Sequence, residues 1–120
     1  MTHNQSWGKF GEDLAARFLE RRGFIIKGRN FRTRYGEIDI VAEKDGHLHF
    51  VEVKTRASEA FGIGEEAIHY LKRQNLLMAA RLYLSRGGIF NPAQFDSLAI
   101  LIDRKQKKAR IRFSENIFGE

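Results

Sequence analysis

The dipeptide Asp45-Gly46 limits what this chain can fold into more than any other stretch of it. Both residues tolerate positive φ, and two-residue hairpin turns select such pairs. β-Branched and aromatic residues crowd both flanks, Gly36 to Val41 on one side and Leu48 to Thr55 on the other, as strands prefer. Folding the arms about the turn predicts a register: Ile40 opposite Val51, Ile38 opposite Val53, Asp39 opposite Glu52, and Glu37 opposite Lys54. Opposed residues share a face of an antiparallel pair, and so do residues two apart on one strand. Glu37, Asp39, Glu52 and Lys54 are therefore expected to form one polar patch, with Val41 and Phe50 meeting on that face and partly covering it. Ile38, Ile40, Val51 and Val53 are expected to turn together toward a core.

Such a patch is costly as plain structure, because like charges placed opposite each other destabilise a sheet. Two close carboxylates in a half-covered site call for a proton or a cation between them. Carboxylate oxygens suit Mg²⁺ or Mn²⁺. On this reading Asp39 and Glu52 are metal ligands and catalytic residues, and Lys54 orients a water or stabilises a developing anion. The competing reading is a solvated strand face with accidental charges. Asp39 facing Glu52, with Lys54 two residues on, favours the site. Glu37 either ligates or pairs with Lys54.

With 120 residues the chain supports one core, so residues 1–120 are expected to form a single domain. The absence of cysteine excludes disulfides and thiolate zinc sites. No long apolar run opens the chain, so neither a signal peptide nor a membrane span is expected, and the cytoplasm is the default location. A net charge of +6 favours an acidic partner, foremost nucleic acid.

Ahead of the hairpin, apolar residues at helical spacing predict a helix from Ser6 to Arg22, closed by Gly23. Gly8 and Gly11 cost that helix stability but permit close backbone approach. Glu12 lies at the flank of its apolar stripe. Phe24-Ile25-Ile26 opens a strand that is expected to run into a basic loop, with Arg29, Arg32 and Arg34 interleaved by Phe31 and Tyr35. Cations and aromatics beside a metal site suit a phosphate backbone. The plain alternative is a solvated basic loop.

Beyond the hairpin, Arg56 continues the second arm and can take phosphate bidentately or pair with a surface carboxylate. Residues 57–64 read as a loop. A helix is expected from Glu65 to Arg86, ended by Gly87-Gly88, with Lys72 near its apolar stripe. Phe95 to Ile102 is apolar on both faces, as a central strand is. Ala109 to Phe113 follows after a basic turn, whose lysines and arginines read first as edge protection. His47 and His49 alternate without a third ligand at suitable spacing, so they are read as surface or turn residues and zinc is not expected.

Gly36-Glu37-Ile38-Asp39 followed by Phe50-Val51-Glu52-Val53-Lys54-Thr55-Arg56 resembles the nuclease motif D…(D/E)xK. From about Gly8 to about Ile102 the chain more closely resembles the YraN-like bacterial proteins, a family with a restriction-endonuclease-like fold related to archaeal Holliday junction resolvases. The resemblance implies an α/β fold with a mixed sheet flanked by helices in the order α-β-β-β-α-β-β, the fourth strand beside the motif strands and the last at an edge. It implies that Glu12 and the carbonyl of Val53 join Asp39 and Glu52 on Mg²⁺ or Mn²⁺. It also places Lys72 and Arg56 at family positions suited to phosphate, and Asp96 at one whose role stays unassigned.

The function expected from all this is metal-dependent hydrolysis of DNA phosphodiesters. Resolvase kinship alone implies a branched or junction substrate and a homodimer. Two alternatives stay open: a non-catalytic nucleic-acid-binding module on the same fold, and a basic protein-interaction domain.

Overall fold

A computed structural model describes residues 3–57, 70–87 and 93–118 of the chain. Its elements are α1 (His3–Arg21), β1 (Ile25–Thr33), β2 (Gly36–Lys44), β3 (His47–Ala57), α2 (Tyr70–Gly87), β4 (Ala93–Asp103) and β5 (Lys108–Ser114). The order is the expected α-β-β-β-α-β-β. The strands form one mixed sheet in the order β1-β2-β3-β4-β5, antiparallel except for the parallel pair β3–β4. The loop expected over 57–64 and the first turn of the helix expected from Glu65 lie almost wholly outside the described residues.

Among the described residues, each face of the sheet carries one helix. Ala15, Ala16 and Leu19 of α1 pack with Ile40, Ala42, Val51, Leu98 and Ile100. Ala79 and Ala80 of α2 pack with Ile38, Val41, Leu48 and Phe50. β4 is buried on both faces as its sequence predicts, with Leu98 and Ile100 on the α1 side and Ala99 and Leu101 also buried. No described helix is long and apolar enough to cross a membrane.

Asp45 and Gly46 adopt φ of 54° and 77°, and Lys44 pairs with His47, so the turn is the one foreseen. The register follows as far as Ile40 opposite Val51 and then stops. The pairs Asp39–Glu52, Ile38–Val53 and Glu37–Lys54 do not form. Below that point β2 stays with β1 down to Gly36 opposite Thr33, while β3 stays with β4 as far as Ala57 opposite Ile102. The two strands exchange common pairing for separate partners, and a gap opens between them. The alternation of β2 also breaks at Asp39. Ile38 lies in the α2 cluster and Ile40 in the α1 cluster, so the expected common face of Ile38 and Ile40 is not formed.

The basic segment before the hairpin is strand rather than loop. β1 runs on to Thr33, and only Arg34-Tyr35 turns. A register shift between Ile26 and Gly28 and a φ of 54° at Asn30 let this edge strand follow β2. One buried face suffices for an edge strand, so dense charge on the other side hides it from sequence reading.

Candidate active site

The site lies where β2 and β3 part. Asp39 fills the break in the ladder: its Oδ2 accepts the backbone N–H of Val53 at 2.8 Å, a bond the lost strand pairing would otherwise supply. α1 brings Glu12 to the same place. The helix can approach because Gly11 has no side chain; a Cβ there would stand 1.8 Å from Thr55 Oγ1 on β3. Gly8, by contrast, faces nothing within 4 Å.

Glu12, Glu37 and Asp39 each offer a carboxylate oxygen, all within 4.8 Å of one another. Burial pushes the Asp39 carboxyl up to about 7. The Val53 N–H opposes the rise, while the charge of Glu12 and both the hydrogen bond and the charge of Glu37 add to it. Arg29 holds the α1 side of this cluster, with Nη2 2.8 Å from Asp13 Oδ1 and 3.6 Å from Glu12 Oε1. Arg32 Nε donates to Glu37 Oε2 at 2.8 Å, so Glu37 pairs with Arg32 on its neighbouring strand and not with Lys54. Arg34 donates to the Tyr35 hydroxyl and lies over its ring.

Glu52 stands apart from that trio but lines the same cleft. An open cleft of about 560 Å³ is bounded by Glu37, Asp39, Glu52, Lys54, Arg56 and Lys72, with Val53 and Thr55 completing it. Lys54 Nζ is 3.5 Å from Glu52 Oε1, and Lys72 of α2 donates a hydrogen bond to the same oxygen. The other oxygen, Glu52 Oε2, is buried and has no hydrogen-bond partner among the described residues. A buried unpaired carboxylate oxygen is costly and marks a place where a cation fits. The donor set is all oxygen, which suits Mg²⁺ or Mn²⁺.

The structure brings most of the expected site residues together, while Arg29, Arg32 and Arg34 are not among those lining the cleft. Asp39, Glu52, Lys54, Val53, Arg56 and Lys72 line the cleft, and Glu12 reaches Asp39 from α1. Glu37 joins the carboxylate cluster outright. Arg29 is engaged by the α1 carboxylates Glu12 and Asp13.

A family model for the uncharacterised protein family UPF0102 matches residues 11–100. The chain belongs to UPF0102. This is the YraN family that the motif residues resemble. UPF0102 proteins similar to it include one from Syntrophomonas wolfei, 48% identical over 106 residues that cover 88% of this chain and 92% of the relative. Another, from Alkaliphilus metalliredigens, is 37% identical over 116 residues, 96% of this chain and 99% of the relative. A third, from Dictyoglomus thermophilum, is 41% identical over 106 residues, 88% and 90% of the two chains. The UPF0102 match contains Glu12, Glu37, Asp39, Glu52 and Lys54, so the whole cleft falls inside the family's span.

Outside the cleft, one residue differs from expectation, and its partner is one to which the sequence assigns no role. His49 is buried, not a surface or turn residue, and its Nδ1 lies 2.5 Å from Oδ2 of the fully buried Asp96. Asp96 Oδ1 accepts Gln94 Nε2 at 2.8 Å and the backbone N–H of Asn116 at 2.9 Å. These contacts give Asp96 bonding partners that spacing alone could not assign. Alternation in β3 and β4 was the only available signal, and it does not reveal which residues become neighbours across a parallel pair.

Proposed function

We propose that this protein is a metal-dependent nuclease that hydrolyses phosphodiester bonds in DNA. The observation that carries the reading is the gap between β2 and β3. It gathers Asp39, Glu37 and Glu12 within ligand distance of one another and presents Glu52, with its orphaned buried oxygen, to the same cleft. Asp39 and Glu52, with Glu12 and the carbonyl of Val53, would hold Mg²⁺ or Mn²⁺. A divalent ion bound there supplies an acidified water and neutralises charge on the phosphoryl oxygens. The chain's own residues do the rest. Asp39 is oriented by the Val53 N–H, and Glu12 by Arg29. Lys54, held near Glu52, orients the attacking water or stabilises the anion it generates. Lys72 is half-exposed, so its ammonium would be able to turn from Glu52 to a phosphate oxygen. Arg56 binds phosphate at the cleft wall. Resolvase kinship points to branched or junction DNA and to a homodimer that makes two symmetric cuts.

One observation favours a second reading, a nucleic-acid-binding module without catalysis: both neighbours of Glu52 Oε1 are lysines, which already neutralise it. A titration of Mg²⁺ and Mn²⁺, with and without branched DNA, on the intact protein and on Glu52→Gln separates the two. The nuclease gains about 2.7 kcal/mol of stability at a hundred times the metal's dissociation constant. It also cuts DNA, and Glu52→Gln loses both properties. An intact protein that gains nothing from either metal and cuts nothing leaves the binding module.

A further inference from the structure

The sheet's topology brings two basic turns to the same end. β3 and β4 are parallel, so Ala57 and Asp103 close at one end; β2 starts there, β1 finishes there, and β5 starts there. That end carries the turn Arg34-Tyr35 and the turn Arg104-Lys105-Gln106-Lys107. It is also the end toward which β2 and β3 part and the cleft opens. The final hairpin therefore stands beside the site, not across the domain from it.

Edge protection explains Arg110 and Arg112, which are exposed on β5 and alternate with Ile111 and Phe113 packed on the core. It does not explain Lys105 and Lys107. Turn residues present no ladder for another sheet to join. This turn is also held in shape: Asp103 Oδ1 accepts the N–H of Lys105 at 3.0 Å and of Gln106 at 3.1 Å, and Lys107 takes a φ of 53°. Lys105, Lys107 and Lys108 are exposed, and among the described residues no carboxylate forms an ion pair with any of them. Asp103 spends its carboxylate on the backbone and fixes the direction in which the lysines leave the sheet.

We infer that the β4–β5 turn is a second phosphate-binding arm, which holds duplex DNA across the end of the sheet while Arg32 and Arg34 hold it on the other side of the cleft. Three strand spacings separate the two hairpins, about 14 Å. A major groove is about 12 Å wide, so long side chains on two arms at that separation reach backbones flanking one groove. The arm rests on the DNA reading above but not on catalysis, since phosphate contacts need no metal.

The test is binding of a short duplex in EDTA, followed against salt concentration, for the intact protein and for the triple variant Lys105→Gln, Lys107→Gln, Lys108→Gln. The substitutions leave Asp103 and the turn's backbone bonds in place, and an unchanged thermal melt verifies this. Each phosphate contact contributes about −0.9 to the log–log salt slope, so the triple variant is expected to lose about two to three units of slope. An unchanged slope in that variant, with a reduced slope in Arg32→Gln, Arg34→Gln, overturns the arm and leaves DNA binding standing. No binding by the intact protein even at low salt overturns the arm and the DNA reading together. A reduced slope in a protein that never gains stability from metal keeps the arm and removes only the nuclease.

Discussion

Asp39 Oδ2 accepts the Val53 N–H at 2.8 Å, so the side chain that most resembles a metal ligand also closes the break in its own sheet. The two roles separate by substitution. Asn in place of Asp39 keeps an oxygen for the Val53 N–H and removes charge from beside Glu12 and Glu37. In chelator at neutral pH or above, Asp39→Asn is expected to melt no lower than the parent, and each kcal/mol of repulsion relieved raises the melt by about 4 °C. Asp39→Ala leaves the N–H unpaired and is expected to cost about 1–3 kcal/mol. A large loss for Asp39→Asn in chelator removes the metal site and keeps only the fold.

The pH dependence follows from the same carboxyl. Its value in the folded protein, about 7, stands above the ordinary 3.8. Between those values the folded state keeps a proton that the unfolded chain has released. This group's contribution therefore falls as pH rises through that window and is flat above it. Metal affinity runs the other way, because only the ionised form ligates. Binding of Mn²⁺ is expected to strengthen about tenfold per pH unit up to 7 and then level off. Calorimetric titration between pH 5.5 and 8.5 measures it, and a flat affinity across that range takes Asp39 out of the metal site.

Much of this arrangement was legible because it is local. The Asp45-Gly46 turn, the core strand around Leu98 and Ile100, and the helix carrying Ala15 and Leu19 each follow from a short pattern. The break in pairing below Ile40 was not legible. A hairpin register assumes that both arms go on pairing with each other, whereas Val53 pairs with Leu98, far along the chain. The recruitment of Glu12 came from the family resemblance, since its own sequence context fits a plain helix-start acid equally well. Glu37 was legible as a neighbour of Asp39, but the same false register set it against Lys54, whereas its partner is Arg32 on β1.

Gly11 is where fold and site depend on one atom. Alanine there would put a Cβ 1.8 Å from Thr55 Oγ1 and 3.1 Å from Thr55 Cβ, so the Thr55 side chain must turn away or α1 must lift from β3. Overpacking of this kind costs about 1–3 kcal/mol. A lift of α1 would draw Glu12 away from Asp39, so Mn²⁺ binding is expected to weaken. Gly8 is the control: it is helical with open space around it, and alanine there is expected to stabilise by about 0.5–1 kcal/mol. Thermal melts of opposite sign for Gly8→Ala and Gly11→Ala test the close approach. Two melts that rise together would show that α1 does not rest on Thr55.

Asp96 is the point at which three segments are tied together. Its carboxylate takes His49 of β3 on one oxygen, and Gln94 of β4 and the backbone of Asn116 on the other. That last bond precedes the last turn of the described residues, where Ile117 donates its N–H to the Phe95 carbonyl and Phe118 lies 5.2 Å from the Phe95 ring. His49, Asp96 and Glu115 also lie near enough to one another to hold a metal ion, so the cluster has two readings. They differ in chelator. As a self-satisfied network, Asp96 contributes at full size without any metal. Asp96→Ala strands a buried imidazole and a backbone N–H, and is expected to cost about 3–5 kcal/mol in EDTA. As a metal site, EDTA would strip the parent of its ligand as well, leaving the remaining groups crowded, and the variant's deficit would shrink or reverse. Urea unfolding of parent and variant, with and without EDTA, reads the difference directly. The bonds already made by both Asp96 oxygens lead us to expect the same deficit in both conditions.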